Sequence, residues 1–460
     1  MRRIDIRHQI IAIVLLVGGS LAAKPAWVDD TGAANEEDRL DLAAYLEDLD
    51  RYEKAMTAVA IAEGGEIIYQ SYNGMASIED QLPIDANTKF RVGSITKTVA
   101  AVLVMQLVEQ DKLQLNTPLS DFYPEVKNAE LITIEQLLSH RSGIFSFTDD
   151  PDYMDYMTES KSREEMLAYL FSYDAKFEPG SQYEYSNSNY LLLGYILEDI
   201  TDQPFSALVD EQIVTPLGLT NTRFGGQTKP QDNEAISYVY GKGEWQPAPE
   251  TDMSIPHAAG ALVSTVADLT TFITALFQGR LVSTDSVQAM ITMEGELTGG
   301  YGLGITRYPF GDHVAYGHNG GIDGFRSHVS YLPGPDVALA VISNAMNYGL
   351  NQILIAAGSY YFEQPFAVPD FTEKPIVLST RALKKFKGRY GTDALPLEIK
   401  LWVENKQLMA QATGQSAFPL TPFADNRFKF EGAGLEIVFE EDSAFVLKQG
   451  GREYLFHKMN

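Results

Sequence analysis

The chain of 460 residues contains no cysteine. That absence removes disulfides, thiol nucleophiles, iron–sulfur clusters and cysteine-bound zinc. It also removes a lipid anchor carried on an N-terminal cysteine. Histidine is scarce, at seven residues, and none has the H-E-x-x-H spacing of a metal-binding helix. Asp149-Asp150-Pro151-Asp152 is acidic but lacks the glycine and distal glutamate of a calcium loop. Neither a metal nor a cofactor is expected. Positive charge is also short: 35 Lys and Arg stand against 62 Asp and Glu, a formal net charge of -27. Nucleic acid and anionic membrane surfaces would repel such a chain. The acidic excess reads as a solvated surface and names no substrate. No G-x-S-x-G elbow, solenoid repeat or low-complexity tract is present.

No segment beyond the start is long and apolar enough to span a bilayer. Arg2, Arg3 and Arg7 precede an apolar stretch from Ile10 to Val17, followed by Gly18-Gly19-Ser20-Leu21-Ala22-Ala23. A basic start, a short apolar core and small residues predict a secretory signal peptide over 1–23. Stable membrane insertion after its removal is not expected, and the mature protein is read as exported, periplasmic or secreted.

The rest divides by pattern. Residues 24–55 hold a linker and a helical repeat of Leu and Ala, with Asn35-Glu36-Glu37-Asp38 as its expected cap. Thr57–Ala62 and Glu66–Tyr72, joined by Gly64-Gly65, predict a hairpin. A mainly helical region follows to about Phe277. Three strand-like runs then begin at His313, Arg326 and Val337, and a helix is expected over Leu350–Tyr361. This order predicts one α+β domain over 56–363, its antiparallel sheet built from both ends around a helical insertion. A proline-bearing linker, 364–375, leads to a small all-β module, 376–460, of short strands and turns.

Three tripeptide-scale motifs occur once each. Ser94 and Lys97 form the only S-x-x-K, just before an unbroken apolar segment, Thr98–Glu109, that predicts a buried helix. Residues three apart share a helix face, so the Lys97 amine would overhang the Ser94 hydroxyl. Tyr185-Ser186-Asn187 is the only Y-x-N, and His318-Asn319-Gly320 is the only H-x-G. Singly, each has an ordinary explanation: a capping serine, a solvated lysine, a half-buried tyrosine, a strand-end histidine. Jointly and in this order they predict a serine hydrolase. A serine hydroxyl is a poor nucleophile until a neighbour takes its proton. Lysine, with an ordinary pKa of about 10.4, becomes that base only where burial or a helix N-terminus favours the neutral amine.

With these motifs the chain resembles the serine β-lactamase and penicillin-binding-protein superfamily. The closest group is the class C-like branch of D,D-carboxypeptidases, D-aminopeptidases and β-lactamase-like esterases, of the peptidase S12 type. Leu137 to Ile144, Pro216 to Leu219, Ala259 to Leu262, Tyr301 to Gly304 and Gly317 to Phe325 resemble that branch's landmarks. The resemblance covers roughly Met56 to Phe362 and excludes the β module. It implies Ser94 as nucleophile, Lys97 as base and Tyr185 as the proton relay to the leaving group. It further implies Asn187, His318 and Gly320 at the substrate, and an oxyanion hole of the Ser94 and Gly321 backbone N–H groups. His140 is expected to be structural.

The third motif departs from the superfamily's commoner Lys-Thr-Gly or Lys-Ser-Gly. His318 is expected to be only partly charged near neutral pH, and neither Asn319 nor Gly321 carries a hydroxyl. A clamp for a substrate carboxylate is thereby weakened, with Arg326 as the one nearby compensating cation. The leading expectation is hydrolysis of peptide-type amides containing a D-residue. Carboxylesterase action on short acyl esters is the alternative, and a non-catalytic penicillin-binding or sensor protein is the rival from another class. The partner is a small-molecule or peptide substrate; oligomeric state is left open. Cleavage of the leader after Ala22 or Ala23 predicts a mature chain beginning at Ala23 or Lys24, which N-terminal sequencing of the exported protein reads directly.

Overall fold

The computed structural model describes residues 40–293, 300–310, 312–413, 417–431, 434–441, 443–449 and 452–459. The leader expected at 1–23 and the cap expected at Asn35–Asp38 lie outside the described residues. The chain forms two compact units, one spanning Ala55–Met346 and the other joining the segment before Ala55 to Asn347 onward.

The first unit is organised by a sheet whose strands come from both of its ends. They are β1 (Ala55–Glu63), β2 (Glu66–Asn73), β3 (Thr306–Phe310), β4 (His313–Ile322), β5 (Phe325–Leu332) and β6 (Val337–Met346). Their spatial order is β3-β4-β5-β6-β1-β2, each pair antiparallel. A small hairpin, Tyr238–Gly241 with Glu244–Pro247, joins through a parallel bridge from Tyr238 to Ala345. β1 and β6 are central and almost wholly buried, which explains why both read as continuous apolar runs rather than alternating ones. Between β2 and β3 lies the helical insertion expected from the sequence. It includes α1 (Thr96–Glu109), α2 (Asn187–Thr201) and α3 (Val266–Phe277). Nearly every residue of α1 is buried, as an apolar helix without a polar face requires. α3 packs on β1, β5 and β6, with Phe277 stacked on Tyr331 at 4.7 Å.

Among the strands not expected from the sequence, two contain proline. β3 carries Pro309, and the barrel strand Phe418–Pro422 carries Pro419 and Pro422. Proline cannot donate to a ladder, so its presence argues against a central strand. β4 also runs farther than expected: the H-x-G motif does not end it, and pairing with β5 continues to Ile322. Glycines 320 and 321 had concealed that extension.

In the second unit the helix Leu42–Arg51 is capped by Asp41, whose carboxylate accepts from the Ala44 amide at 3.0 Å. Another helix spans Leu350–Tyr361, as expected. Tyr45 lies near Phe366 and Phe371, with ring centroids 5.3 and 6.3 Å away. Beyond them eight strands between Gly388 and Lys458 close into a barrel, the first pairing with the last through Tyr390 and Gly391. Burial alternates along strands such as Gln407–Ala412. The inward set includes Tyr390, Phe428, Phe439, Phe445 and Phe456, all at most 2% exposed, so the barrel is filled by its own aromatic rings. Phe439 touches this core from the strand Leu435–Glu441, its ring 4.3 Å from Phe386 and 5.3 Å from Phe445. Phe439→Ala should therefore destabilise the barrel by about 3–5 kcal/mol, measured as the shift of its denaturant-unfolding transition.

Candidate active site

Ser94 occupies a one-turn 3₁₀ segment, Gly93–Ile95, that runs directly into α1. The turn demands glycine at its first position. Gly93 has φ of +52°, and a Cβ there would lie 2.8 Å from the Gly321 nitrogen. The turn and β4 thus touch backbone to backbone. Gly320 makes the same contact from the other side, since a Cβ on it would stand 2.0 Å from the Val92 carbonyl oxygen and 2.2 Å from Ser327 Oγ. Ser327 Oγ donates to Val92 O at 2.8 Å. Gly320 therefore contributes by having no side chain. Gly321 is exposed and Ser94 half-buried, so both can be reached from solvent.

Lys97 is wholly buried. Its Nζ lies 2.8 Å from Asn187 Oδ1, 2.7 Å from Ala259 O and 3.0 Å from Ser94 Oγ. No carboxylate among the described residues is paired with it. Burial holds its pKa well below the ordinary lysine value, and its place in the first turn of α1 disfavours an ammonium further. The two carbonyl oxygens can only accept, so they use both N–H bonds of a neutral amine. The remaining lone pair then faces Ser94. An ammonium would instead donate its third proton to the serine and could not act as a base.

Tyr185 stands beside this pair, its ring centroid 4.9 Å from Lys97 Nζ. Burial raises its phenol well above the ordinary tyrosine value, opposed by a hydrogen bond with Ser94. Two groups adjacent to one hydroxyl are thus pushed in opposite directions. Burial favours the neutral amine on one side and the protonated phenol on the other. Asn187 opens α2, its Nδ2 donating to Thr148 Oγ1 at 2.9 Å and its backbone N–H to Ser146 Oγ at 3.0 Å. Its Oδ1 is thereby turned toward Lys97.

His318 departs from expectation. It is 4% exposed and its pKa is pushed down to about 3, chiefly by burial. Its Nδ1 faces the Asn319 carbonyl oxygen at 2.5 Å, and its Nε2 is 2.9 Å from the Tyr301 hydroxyl. A carbonyl only accepts, so Nδ1 carries the proton and Nε2 accepts from tyrosine. The imidazole is neutral rather than half-charged, because burial penalises its cation. Asn319 turns to the opposite face, where its Oδ1 accepts from His328 Nδ1 at 2.6 Å. Arg326 pairs with Gly321 across the sheet, and its Nη1 donates to Phe325 O at 2.7 Å.

Several contributors were invisible in the sequence. Ala259 offers only a backbone carbonyl, and Ser146 and Thr148 lie in no recognised motif. Arg91 and Asp323 form a buried pair at 3.0 Å, with Arg91 also donating to Thr251 O at 2.7 Å and Gly226 O at 2.8 Å. Arg91 ends the two-residue strand ahead of the serine turn, and Asp323 lies in the β4–β5 turn. The pair therefore ties the two halves of the site together. The chain order of these residues, 232 positions apart, hides that link.

A family model described as Beta-lactamase matches residues 42–355, more than half of the chain. The chain belongs to the beta-lactamase family. It is 26% identical over 452 residues to penicillin-binding protein 4* of Bacillus subtilis, covering 90% of this chain and 97% of the relative. Esterase EstB of Burkholderia gladioli is 31% identical over 50% of this chain and 62% of its own length. Among solved structures, D-amino acid amidase from Ochrobactrum anthropi SV3 matches with a TM-score of 0.62 at 26% identity, over 70% of this chain and 97% of that one. The fold and motifs of this beta-lactamase family member are those of the penicillin-binding-protein superfamily and its S12-like branch.

The charge states above make a pH prediction. If Lys97 serves as the base, activity should be full above its depressed pKa and fall away as pH drops through it. A kcat/KM profile should keep substantial activity near neutral pH, far below the ordinary lysine range. Lys97→Arg, charged at every pH, should lose on the order of 10²-fold or more throughout.

Proposed function

We propose that this chain is an exported serine hydrolase that forms an acyl-enzyme on Ser94 and cleaves peptide-type amides containing a D-residue. The observation that carries the reading is the 3.0 Å approach of Lys97 Nζ to Ser94 Oγ, with both remaining N–H directions taken by carbonyl oxygens. In the proposed sequence Lys97 takes the hydroxyl proton as Ser94 Oγ attacks the substrate carbonyl. The oxyanion is held by the N–H groups of Ser94 and Gly321, in a site whose dipoles are already aligned. Tyr185 protonates the departing amine and is reprotonated by Lys97, so that the serine proton ends on the leaving group, and water then hydrolyses the ester. Asn187 hydrogen-bonds the substrate and steadies Lys97. His318 and Gly320 shape the strand along which substrate lies, without a charge from the imidazole.

Substrate class is inferred from what the third motif lacks. A neutral His318 and the absence of hydroxyls at 319 and 321 leave little to clamp a terminal carboxylate, which favours amides without one. The D-amino acid amidase likeness supports this reading. A second reading, esterase action on short acyl esters, is favoured by the EstB likeness, since the same groups cleave esters with less need for leaving-group protonation. We place the hydrolase domain at 56–363, the linker at 364–375 and the all-β module at 376–460. No helix among the described residues is long and apolar enough to cross a membrane. That agrees with export through the 1–23 leader.

Exposure to a fluorophosphonate or penicillin probe should yield an adduct on Ser94 by mass spectrometry, absent in Ser94→Ala. An unmodified but folded wild type would favour the non-catalytic sensor. Parallel assay of D-amino-acid anilides and p-nitrophenyl acetate should show turnover of the anilides; turnover of esters alone would overturn the amidase assignment.

A further inference from the structure

His140 has no part in the chemistry just proposed, yet its surroundings are unusual. It is fully buried and adopts φ of +56°, a left-handed conformation that few side chains tolerate. Its carbonyl oxygen accepts from the Glu184 N–H at 3.0 Å, and its Nδ1 accepts from the Ser186 N–H at 3.1 Å. Glu184 and Ser186 flank Tyr185. The imidazole also lies against the Tyr185 ring, with centroids 4.2 Å apart and planes tilted by 35°. One residue therefore grips the tyrosine by its backbone on both sides and by its ring.

The protonation state follows from the same contacts. A backbone N–H can only donate, so Nδ1 is bare and the single proton of the neutral ring sits on Nε2. That Nε2 is buried without a hydrogen-bond partner, facing a region lined by the rings of Tyr190 and Tyr301, at centroid distances of 5.2 and 4.7 Å. An unpaired buried donor costs stability. An apolar side chain would fill the space without that cost, but it could not accept from Ser186. The histidine is thus explained by what it does to Tyr185, not by packing.

We propose that His140 is a positioning residue that fixes the Tyr185 hydroxyl toward Ser94 and so governs protonation of the leaving group. This rests on the acyl-enzyme reading above, in which Tyr185 supplies that proton. The consequence is selective. An amine leaves only when protonated, whereas p-nitrophenolate leaves unaided. Loosening Tyr185 should therefore slow amide cleavage far more than cleavage of an activated ester bearing the same acyl group.

Two variants separate the grips. His140→Asn keeps an acceptor for Ser186 and tolerates the left-handed backbone, but it loses the ring. His140→Phe keeps a ring and loses the acceptor. For each variant shown to be folded by circular dichroism and thermal unfolding, kcat/KM is measured on a matched anilide and p-nitrophenyl ester. The expected result is a fall of roughly tenfold or more in the amide-to-ester ratio. Tyr185→Phe should shift the ratio in the same sense, and adding His140→Asn to it should shift it no further. Equal losses on both substrates, or no loss, would overturn the assignment; if the phenylalanine variant does not fold, the asparagine variant alone decides. Failure of the parent reading is seen separately, as a wild type that yields no Ser94 adduct.

Discussion

A buried lysine amine, held by two carbonyl oxygens and without a carboxylate partner among the described residues, is the constraint on which this site depends. In water the amine would be charged and inert toward a hydroxyl proton. Inside the first unit, burial makes the charged form costly, and the Asn187 and Ala259 oxygens satisfy only what a neutral amine can donate. The geometry leaves one open direction, and Ser94 fills it. The reactivity proposed for this pair rests on desolvation and on counting hydrogen-bond donors.

The same logic governs the groups around it. Burial acts on every titratable side chain nearby but in opposite chemical senses. It pulls the Lys97 pKa well below the ordinary lysine value, pushes that of Tyr185 up and pushes those of His318 and His328 down to about 3. The result is a centre with little formal charge, in which the developing oxyanion would meet aligned backbone dipoles rather than ions. Charge is placed one layer away instead. Arg91 and Asp323 neutralise each other in the interior while tying the strand before the serine turn to the hairpin that carries Gly321. Such a pair contributes less to stability than to register, and register is what places one N–H group opposite another.

What could be read from the chain follows the range of the interactions involved. Ser94 and Lys97 are three residues apart, and the helical run after them sets their relation locally. The β1–β2 hairpin and the barrel strands with alternating burial were legible because period and turn residues are local signals. Proline misled twice, at Pro309 and at Pro419 with Pro422, because these strands tolerate a residue that strands usually exclude. His318 misled in another way. Its residue type carries an ordinary pKa near neutrality, and only the surroundings, Tyr301 and a sealed interior, remove the charge.

By itself the sequence determined the S-x-x-K spacing that brings Ser94 and Lys97 together, the order of the three motifs, the family likeness and a sheet assembled from both ends of a helical insertion. Tertiary structure alone decided the protonation states, since these depend on burial and on partners such as Ala259 O, Thr148 and Tyr301 that no spacing reveals. It also decided that Gly93 and Gly321 meet across more than 200 positions of chain. Closure of the C-terminal strands into a filled barrel was likewise a tertiary matter. Local pattern specifies which groups are available; desolvation and long-range contact specify what those groups become.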